Sequence, residues 1–367
     1  MIVKAITLDF FRNYLHLEAA FHPRINVIFG DNAQGKTNLL EAVAYLSSAS
    51  SHRARYDREL IQFGVDHAFV KGEVASRGRD FTLEASLHRG ARRQLLSNGV
   101  RLKNAGELAG ILNTVLFCPE DLYLIRAGAE ARRKFLDQCI CQLRPRYAVA
   151  LAEYKRLREH KTRILRDSAE HPDLLDTLDD FSLRMAQCGA ILVHYRAHFI
   201  KKLRQAAPPI HADCSGARER LELEYRTVST VTDPEAPPKT LLPQLLDHQE
   251  SHRRAEIESR SCLSGPHKDD LSVSIDGCPA GAYASQGQTR TAALALKLAA
   301  RDIFYQDTQE WPVLLLDDVL SELDSRRQEF VLNRITSGQV FITCCEEEKL
   351  VHLREGNAFY IHDGRLA

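Results

Sequence analysis

Apolar residues recur mostly at every second position through the first third of the chain and at steps of three and four through its middle. The pattern predicts a β-rich N-terminal part followed by a helical one. Residues 2–8 carry Ile2, Ala5, Ile6 and Leu8 and predict a first strand, with a turn over Phe10-Phe11-Arg12-Asn13-Tyr14. Ile25-Asn26-Val27-Ile28-Phe29 predicts a second, and Leu39, Leu40, Val43 and Leu46 predict a helix over 37–46. Segments 67–75, 80–88 and 92–96 alternate and Asn98-Gly99 is a hairpin signal, so an antiparallel β region is expected. Val115-Leu116-Phe117 predicts one more short strand, ended by Pro119.

From Leu136 the apolar positions are Ile140, Leu143, Tyr147, Ala150, Tyr154 and Leu157; a second series runs from Leu174 through Leu178, Phe181, Met185, Cys188, Leu192 and Tyr195 to Phe199. Both are heptad-like, and the polar link from Asp167 to Asp173 predicts an antiparallel helical hairpin. Pro145 predicts a kink or a break. Residues 205–256, with Pro208-Pro209 and further prolines over 234–238, are weakly periodic and predict a return segment with a loop. Residues 291–301 predict a helix rich in Ala and Leu, and Val313-Leu314-Leu315-Leu316 predicts a buried strand.

Composition adds three bounds. At 367 residues the chain has room for two or three domains. The formal net charge is zero, so any affinity for nucleic acid has to come from a local patch. Such a patch exists: between Arg126 and Arg166 twelve Lys or Arg face four acids. The nine cysteines lack the paired spacing of a zinc site, no apolar leader is seen and no run is long enough to cross a membrane, so a reduced, cytoplasmic protein is expected. Cys139, Cys141, Cys344 and Cys345 read as small core residues.

The chemistry begins at Gly30-Asp31-Asn32-Ala33-Gln34-Gly35-Lys36-Thr37, a G-x-x-x-x-G-K-T octet between a predicted strand and a predicted helix. The glycines let the backbone curl so that its N–H groups face phosphate oxygens at a helix N-terminus. Lys36 is expected to reach the terminal phosphates and Thr37 to hold Mg²⁺. The strand 313–316 ends in Asp317 and Asp318, which suits a metal-directed Asp followed by a carboxylate that orients water. Ser285-Gln286-Gly287-Gln288 opens a helix and offers a hydroxyl and backbone N–H groups to an anion; taken alone it also suits a simple helix cap.

A P-loop, an S-x-G-Q segment, an apolar strand ending in two acids and then Ser321-Glu322-Leu323-Asp324 come in the order of the ATPase heads of the ABC family, which this chain resembles. Phe11-Arg12-Asn13-Tyr14, the octet continued through Asn38 to Ala42, Phe117 to Leu122, Arg132 to Asp137, Gly265 to Leu271 and Ala284 to Arg290 resemble the recombination-mediator branch of those heads.

The resemblance implies an α/β, ABC-type P-loop ATPase head, a mixed sheet with an antiparallel β region, carrying an inserted α-helical arm domain. The expected boundaries are 1–122 and 258–367 for the head and 123–257 for the arm. It implies ATP and Mg²⁺ as cofactors, with nucleotide contacts from residues 30–38, Arg12, Asn13, Asp324 and either Arg53 or Arg55. It implies an ATP-dependent homodimer in which Ser285, Gly287 and Gln288 of one copy complete the site of the other. Weak ATP hydrolysis stimulated by double-stranded or gapped DNA, and action with RecO and RecR to place RecA in DNA repair, are implied too. Two family positions differ: Thr343 stands for the usual switch His and Asp318 for the usual catalytic Glu. Pro119-Glu120-Asp121 takes the place of the usual loop Gln. A transporter ATPase and a chromosome-structural head share the core motifs; the basic insertion argues against the first and the shortness of the Leu136–Phe199 hairpin against the second.

Overall fold

A computed structural model describes residues 1–345 and 356–366, which divide into two compact units: Met1–Tyr123 with Ala293–Ala367, and Leu124–Ala292.

The first unit has two six-stranded sheets. In one, β1 (Ile2–Phe11), β2 (Tyr14–Ala20), β4 (His67–Ser76), β5 (Arg79–His88), β6 (Gln94–Ser97) and β7 (Val100–Arg101) run in the order β2-β1-β4-β5-β6-β7, every pair antiparallel. The β6–β7 turn is Asn98-Gly99, both at positive φ, as a two-residue hairpin requires. The other sheet contains β3 (Ile25–Phe29), β8 (Thr114–Phe117), β12 (Val313–Asp317), β13 (Val340–Cys344), β14 (Gly356–His362) and β15 (Arg365–Leu366), in the order β15-β14-β3-β13-β12-β8. Its pairings from β14 to β8 are all parallel. Helix α1 (Lys36–Ser48) buries Leu39, Leu40, Val43 and Leu46 in one core with Ile6 and Leu8 of β1, Val70 and Val74 of β4, and Leu315 and Phe341 of the parallel sheet. The predicted strands and the octet's helix are therefore present, and β2, β13, β14 and β15 are additions.

The second unit contains α2 (Ala129–Leu143), α3 (Pro145–Asp167), α4 (Leu178–Ser215), α5 (Pro238–Ser259) and a small sheet, β11-β10-β9, made of β9 (Leu221–Arg226), β10 (Asp270–Ile275) and β11 (Cys278–Pro279). The short α6 (Ala280–Tyr283) follows, and the division falls within α7 (Gln286–Thr308). Pro145 breaks the helix outright: Arg144 is extended, and Pro145 opens α3 where its missing N–H costs nothing. The helical hairpin is α3 and α4.

Residues 205–256, expected as a return segment with a loop, hold that loop over 227–237 and are mostly helix and strand otherwise. Helix α4 continues through Pro208-Pro209 because Ala207, Ile210, His211 and Cys214 keep a buried face, and β9 and α5 follow. Residues 258–292, assigned from sequence to the returning head, sit in this second unit, where β10 pairs with β9 throughout its length.

A buried ionic network holds this unit together. Arg196 of α4 donates to Asp137 of α2 at 2.8 Å, to Asp269 at 3.0 Å and to the carbonyl of Pro266 at 2.6 Å. Asp269 also accepts from Thr227 at 2.8 Å, and Arg132 forms a two-point pair with Asp270 at 2.8 and 2.9 Å. The Arg132–Asp137 and Gly265–Leu271 blocks thus meet each other. His267 accepts from Tyr154 Oη on Nδ1 at 2.7 Å and donates from Nε2 to the Cys262 carbonyl at 3.0 Å.

Candidate nucleotide site

β3 ends at Phe29 and the octet curls from it into α1, with Gly30, Ala33 and Gly35 at φ of 142°, 65° and 122°. Glycine at 35 serves close approach as well as φ: a Cβ there would lie 2.7 Å from Asn13 Nδ2. The β1–β2 turn braces the loop. Asn13 donates to the Gln34 carbonyl at 2.8 Å, Tyr14 Oη to the Gly35 carbonyl at 3.0 Å, and Asn38 to Asn13 at 2.8 Å. From the β14–β15 turn, the N–H of Asp363 reaches Gln34 Oε1 at 2.6 Å. The buried Lys36 places Nζ 2.6 Å from the Gly30 carbonyl and 2.9 Å from that of Asp31, while Asp31 and Asn32 are exposed.

Parallel strands deliver their C-terminal ends to one place, where ligands of open α/β sheets bind. Asp317 and Thr343 are direct register partners on β12 and β13. Thr37 Oγ1 and Thr343 Oγ1 each donate to Asp317 Oδ1 at 2.9 Å, and the N–H of Asp318 donates to Thr343 Oγ1 at 2.7 Å. Burial raises the pKa of Asp317, against the pull of the two threonine hydroxyls and of Arg53. One hydroxyl and one carboxylate suit Mg²⁺, which takes one or two protein groups and completes its shell with phosphate and water. Among the described residues no cluster of three His, Cys, Asp or Glu could hold a metal by itself.

Asp318 sits at φ 51°, the left-handed region that aspartate tolerates, and its carboxylate accepts from Ser321 Oγ at 3.0 Å. Asp324 caps α8 (Ser325–Arg334), accepting from the Arg327 N–H at 3.0 Å, and pairs with the Arg327 side chain. Arg12 is committed to structure: Nε and Nη2 hold both oxygens of the buried Glu41 at 2.8 and 2.9 Å, and Nη1 holds the Glu59 carbonyl. Burial alone would raise the pKa of Glu41, but Arg12, Ser51 and Arg53 together bring it below the ordinary value. Arg53 joins the loop through Asn38 at 3.0 Å, whereas Arg55 lies over Tyr56.

Within the second unit, Ser285 and Gln288 form a reciprocal cap at the start of α7: the Ser285 N–H donates to Gln288 Oε1 at 2.7 Å, and the Gln288 N–H to Ser285 Oγ at 3.2 Å. Ser285 remains exposed, its carbonyl accepting from the N–H of the buried Thr289 at 3.0 Å, and Gly287 lies in the same first turn. In the first unit, Asp121 takes Lys297 at 2.8 Å and the Cys118 N–H at 3.0 Å, leaving Glu120 as the exposed acid of the Pro119-Glu120-Asp121 turn.

Four further residues touch this network: Tyr14, Glu41 and Ser321, which stand in the sequence only as members of the motif blocks with no role of their own, and Ser51, which no motif marks.

The family model for the RecF/RecN/SMC N terminal domain matches residues 2–363. Curated DNA replication and repair RecF proteins align along nearly the whole chain: one from Agathobacter rectalis is 39% identical over 96% of this chain and 95% of its own, and one from Listeria innocua is 39% identical over 100% and 99%. This chain belongs to the RecF family. The recombination mediator protein RecF, solved with ATP in the RecFOR pathway, superposes at a TM-score of 0.90 with 33% identity, covering 100% of this chain and 97% of that one. The Smc head domain of Pyrococcus furiosus, bound to the C-terminal domain of ScpA, superposes at 0.55 with 16% identity, a likeness of fold alone. RecF membership and the head fold therefore agree with the residues that meet at the carboxyl ends of β3, β12 and β13.

Proposed function

We propose that this chain is an ATP-dependent DNA-binding recombination mediator that dimerises on ATP. The observation that carries the reading is the hydrogen-bonded line Thr37–Asp317–Thr343–Asp318 beside a P-loop. ATP is bound by residues 30–38, with Lys36 turning from the Gly30 and Asp31 carbonyls to the terminal phosphates. Thr37 and Asp317 hold Mg²⁺, which supplies neutralisation of phosphate charge. Asp318 orients the attacking water, and Thr343 fixes Asp318 through its backbone. A carboxylate tied to Ser321 and a threonine where the family has histidine support slow turnover.

Ser285 and Gly287 stand at an exposed helix start, which suits capping of the γ-phosphate held by a second copy. DNA contact falls to the exposed face of α3, where Arg146, Lys155, Arg156, Arg163 and Arg166 are all solvent-facing. Arg132 and Lys161 do not belong to that face, being paired with Asp270 and Glu256. The RecFOR context of the solved relatives supports RecO and RecR as partners, with RecA loading at gapped DNA as the outcome. Among the described residues no helix is long and apolar enough to cross a membrane.

ATP hydrolysis measured with and without gapped duplex DNA, on wild type and Lys36→Arg, tests the reading. Stimulation by DNA that Lys36→Arg abolishes is expected; hydrolysis indifferent to DNA would overturn it. Light scattering should show a dimer only with ATP, and Ser285→Arg should leave a monomer that still binds nucleotide.

A further inference from the structure

Helix α4 carries His194 and His198 at i and i+4, neighbours on one face, His194 half-buried and His198 exposed. Val193 and Ala197 beside them are buried, and Arg196 between them is held by Asp137 and Asp269, so this turn is fixed in place. The backbone fixes both rings as well. His194 Nδ1 lies 2.9 Å from the Ala236 carbonyl, and His198 Nδ1 lies 2.9 Å from the His194 carbonyl. A carbonyl only accepts, so each ring carries its proton on Nδ1 and, when neutral, a lone pair on Nε2. Neither Nε2 has a hydrogen-bond partner among the described residues, and neither is enclosed.

An imidazole lone pair lies in the ring plane, so two rings share one ion only where their planes cross. These rings stand 4.2 Å apart between centroids and are tilted at 49°. A second pair at the same spacing, His248 and His252 on α5, differs on both counts. Its rings are stacked at 14°, and His248 Nδ1 meets the Ser264 hydroxyl at 2.6 Å, which can give or take the proton. An Nδ1–H donated to a backbone carbonyl, with Nε2 open, is how metal-ligating histidines are oriented. The nearest cation does not stand in the way: Lys201, on the turn after His198, is paired with Glu235 at 2.5 Å.

We propose that His194 and His198 bind one borderline divalent transition-metal ion, of the Zn²⁺ and Ni²⁺ class, through their Nε2 atoms, with water completing its shell. Mg²⁺ and Ca²⁺ take oxygen ligands and are not bound there. Two protein ligands make the site reversible, whereas a structural zinc site takes four. The bound ion polarises the His194 ring and strengthens its Nδ1–H bond to Ala236, which holds the 227–237 loop against α4. The inference is independent of the nucleotide site, since all the residues involved lie in the second unit.

Equilibrium dialysis of the untagged full chain against Ni²⁺, with excess Mg²⁺ present, tests it. Ni²⁺ is the probe because the exposed Cys278 and Cys345 draw softer ions. One Ni²⁺ per chain is expected at this site, weakened about tenfold or more by His198→Gln or His194→Gln and unchanged by His252→Gln. Without metal, His198→Gln should unfold at the wild-type urea midpoint, because the side chain is exposed; with Ni²⁺ only the wild type should gain stability. Binding unmoved by His198→Gln, binding lost with His252→Gln instead, displacement by Mg²⁺, or no saturable binding below about 1 mM would each overturn the proposal.

Discussion

Thr343 shows how one hydroxyl can serve two acids. It receives the N–H of Asp318 and donates to Asp317, so it fixes the metal-directed carboxylate and the backbone of its neighbour together. Thr343→Val keeps the shape and removes both bonds, leaving the half-buried N–H of Asp318 without that partner. It should cost about 1–3 kcal/mol of stability by urea unfolding. Hydrolysis should fall more than ATP affinity, because Lys36 and the loop N–H groups are untouched. That Lys36 and Thr37 share one loop was legible because the octet fixes their spacing, and that Asp317 meets Thr37 was legible because an apolar parallel strand that ends in acids stops beside that loop. Arg12 was legible as a member of the site but not in its role: only the fold shows its guanidinium spent on Glu41. Ser285 and Gln288 were legible both as a cap and as a signature, and the structure has them capping α7.

Among the elements, α2, α4 and β10 depend on Arg196. Arg196→Met leaves the buried Asp269 and the half-buried Asp137 without their cation and should cost about 3–5 kcal/mol, read as a lowered urea midpoint. Arg156→Ala on the exposed face of α3 should stay within about 0.5 kcal/mol. The same unit should be acid-sensitive. Burial holds His267 at about 4, against an ordinary 6.5, with both ring nitrogens engaged in the neutral form. As pH falls from 6.5 towards 4 the unfolded chain takes up a proton that the folded chain refuses, so stability falls with pH through that window. The slope is about 1.4 kcal/mol per pH unit per group. His52 in the first unit, lowered by burial to about 4, adds the same sign. Chemical denaturation at pH 7 and pH 5 should show the loss, and His267→Gln should flatten it.

Elements with a clean period were readable in advance, as α1, β4 and β5 show, and so was the unbroken apolar run of β12. The segment 205–256 was not, since two prolines argue locally for a break while packing of Ala207, Ile210 and Cys214 carries the helix on. Strand β9 had a usable signal in Leu221-Glu222-Leu223-Glu224-Tyr225, whose alternation matches its burial, but the prolines on either side drew the reading towards a loop.

At the scale of the whole molecule, a chain with no net charge presents a basic helix face, so DNA affinity should depend steeply on salt. If all five exposed cations of α3 meet phosphates, the slope of log K against log salt should be about −4 to −5. Arg163→Ala with Arg166→Ala should make it shallower by about 2, read by fluorescence anisotropy on duplex DNA. The strand order carries another consequence, for synthesis. β3, which leads into the phosphate loop, is flanked in the sheet by β13 and β14, and β8 by β12. On the ribosome β3 is complete near residue 29, whereas its neighbours begin at residues 340 and 356. At ordinary elongation rates its edges therefore wait roughly 15–60 s. An apolar strand with both edges open is a template for pairing with another chain. A fragment ending at residue 292 should accordingly be cleaved by protease around β3 and fail to retain ATP, while the full chain resists. For its first minute of existence, the strand on which nucleotide binding rests depends on whatever keeps nascent chains apart.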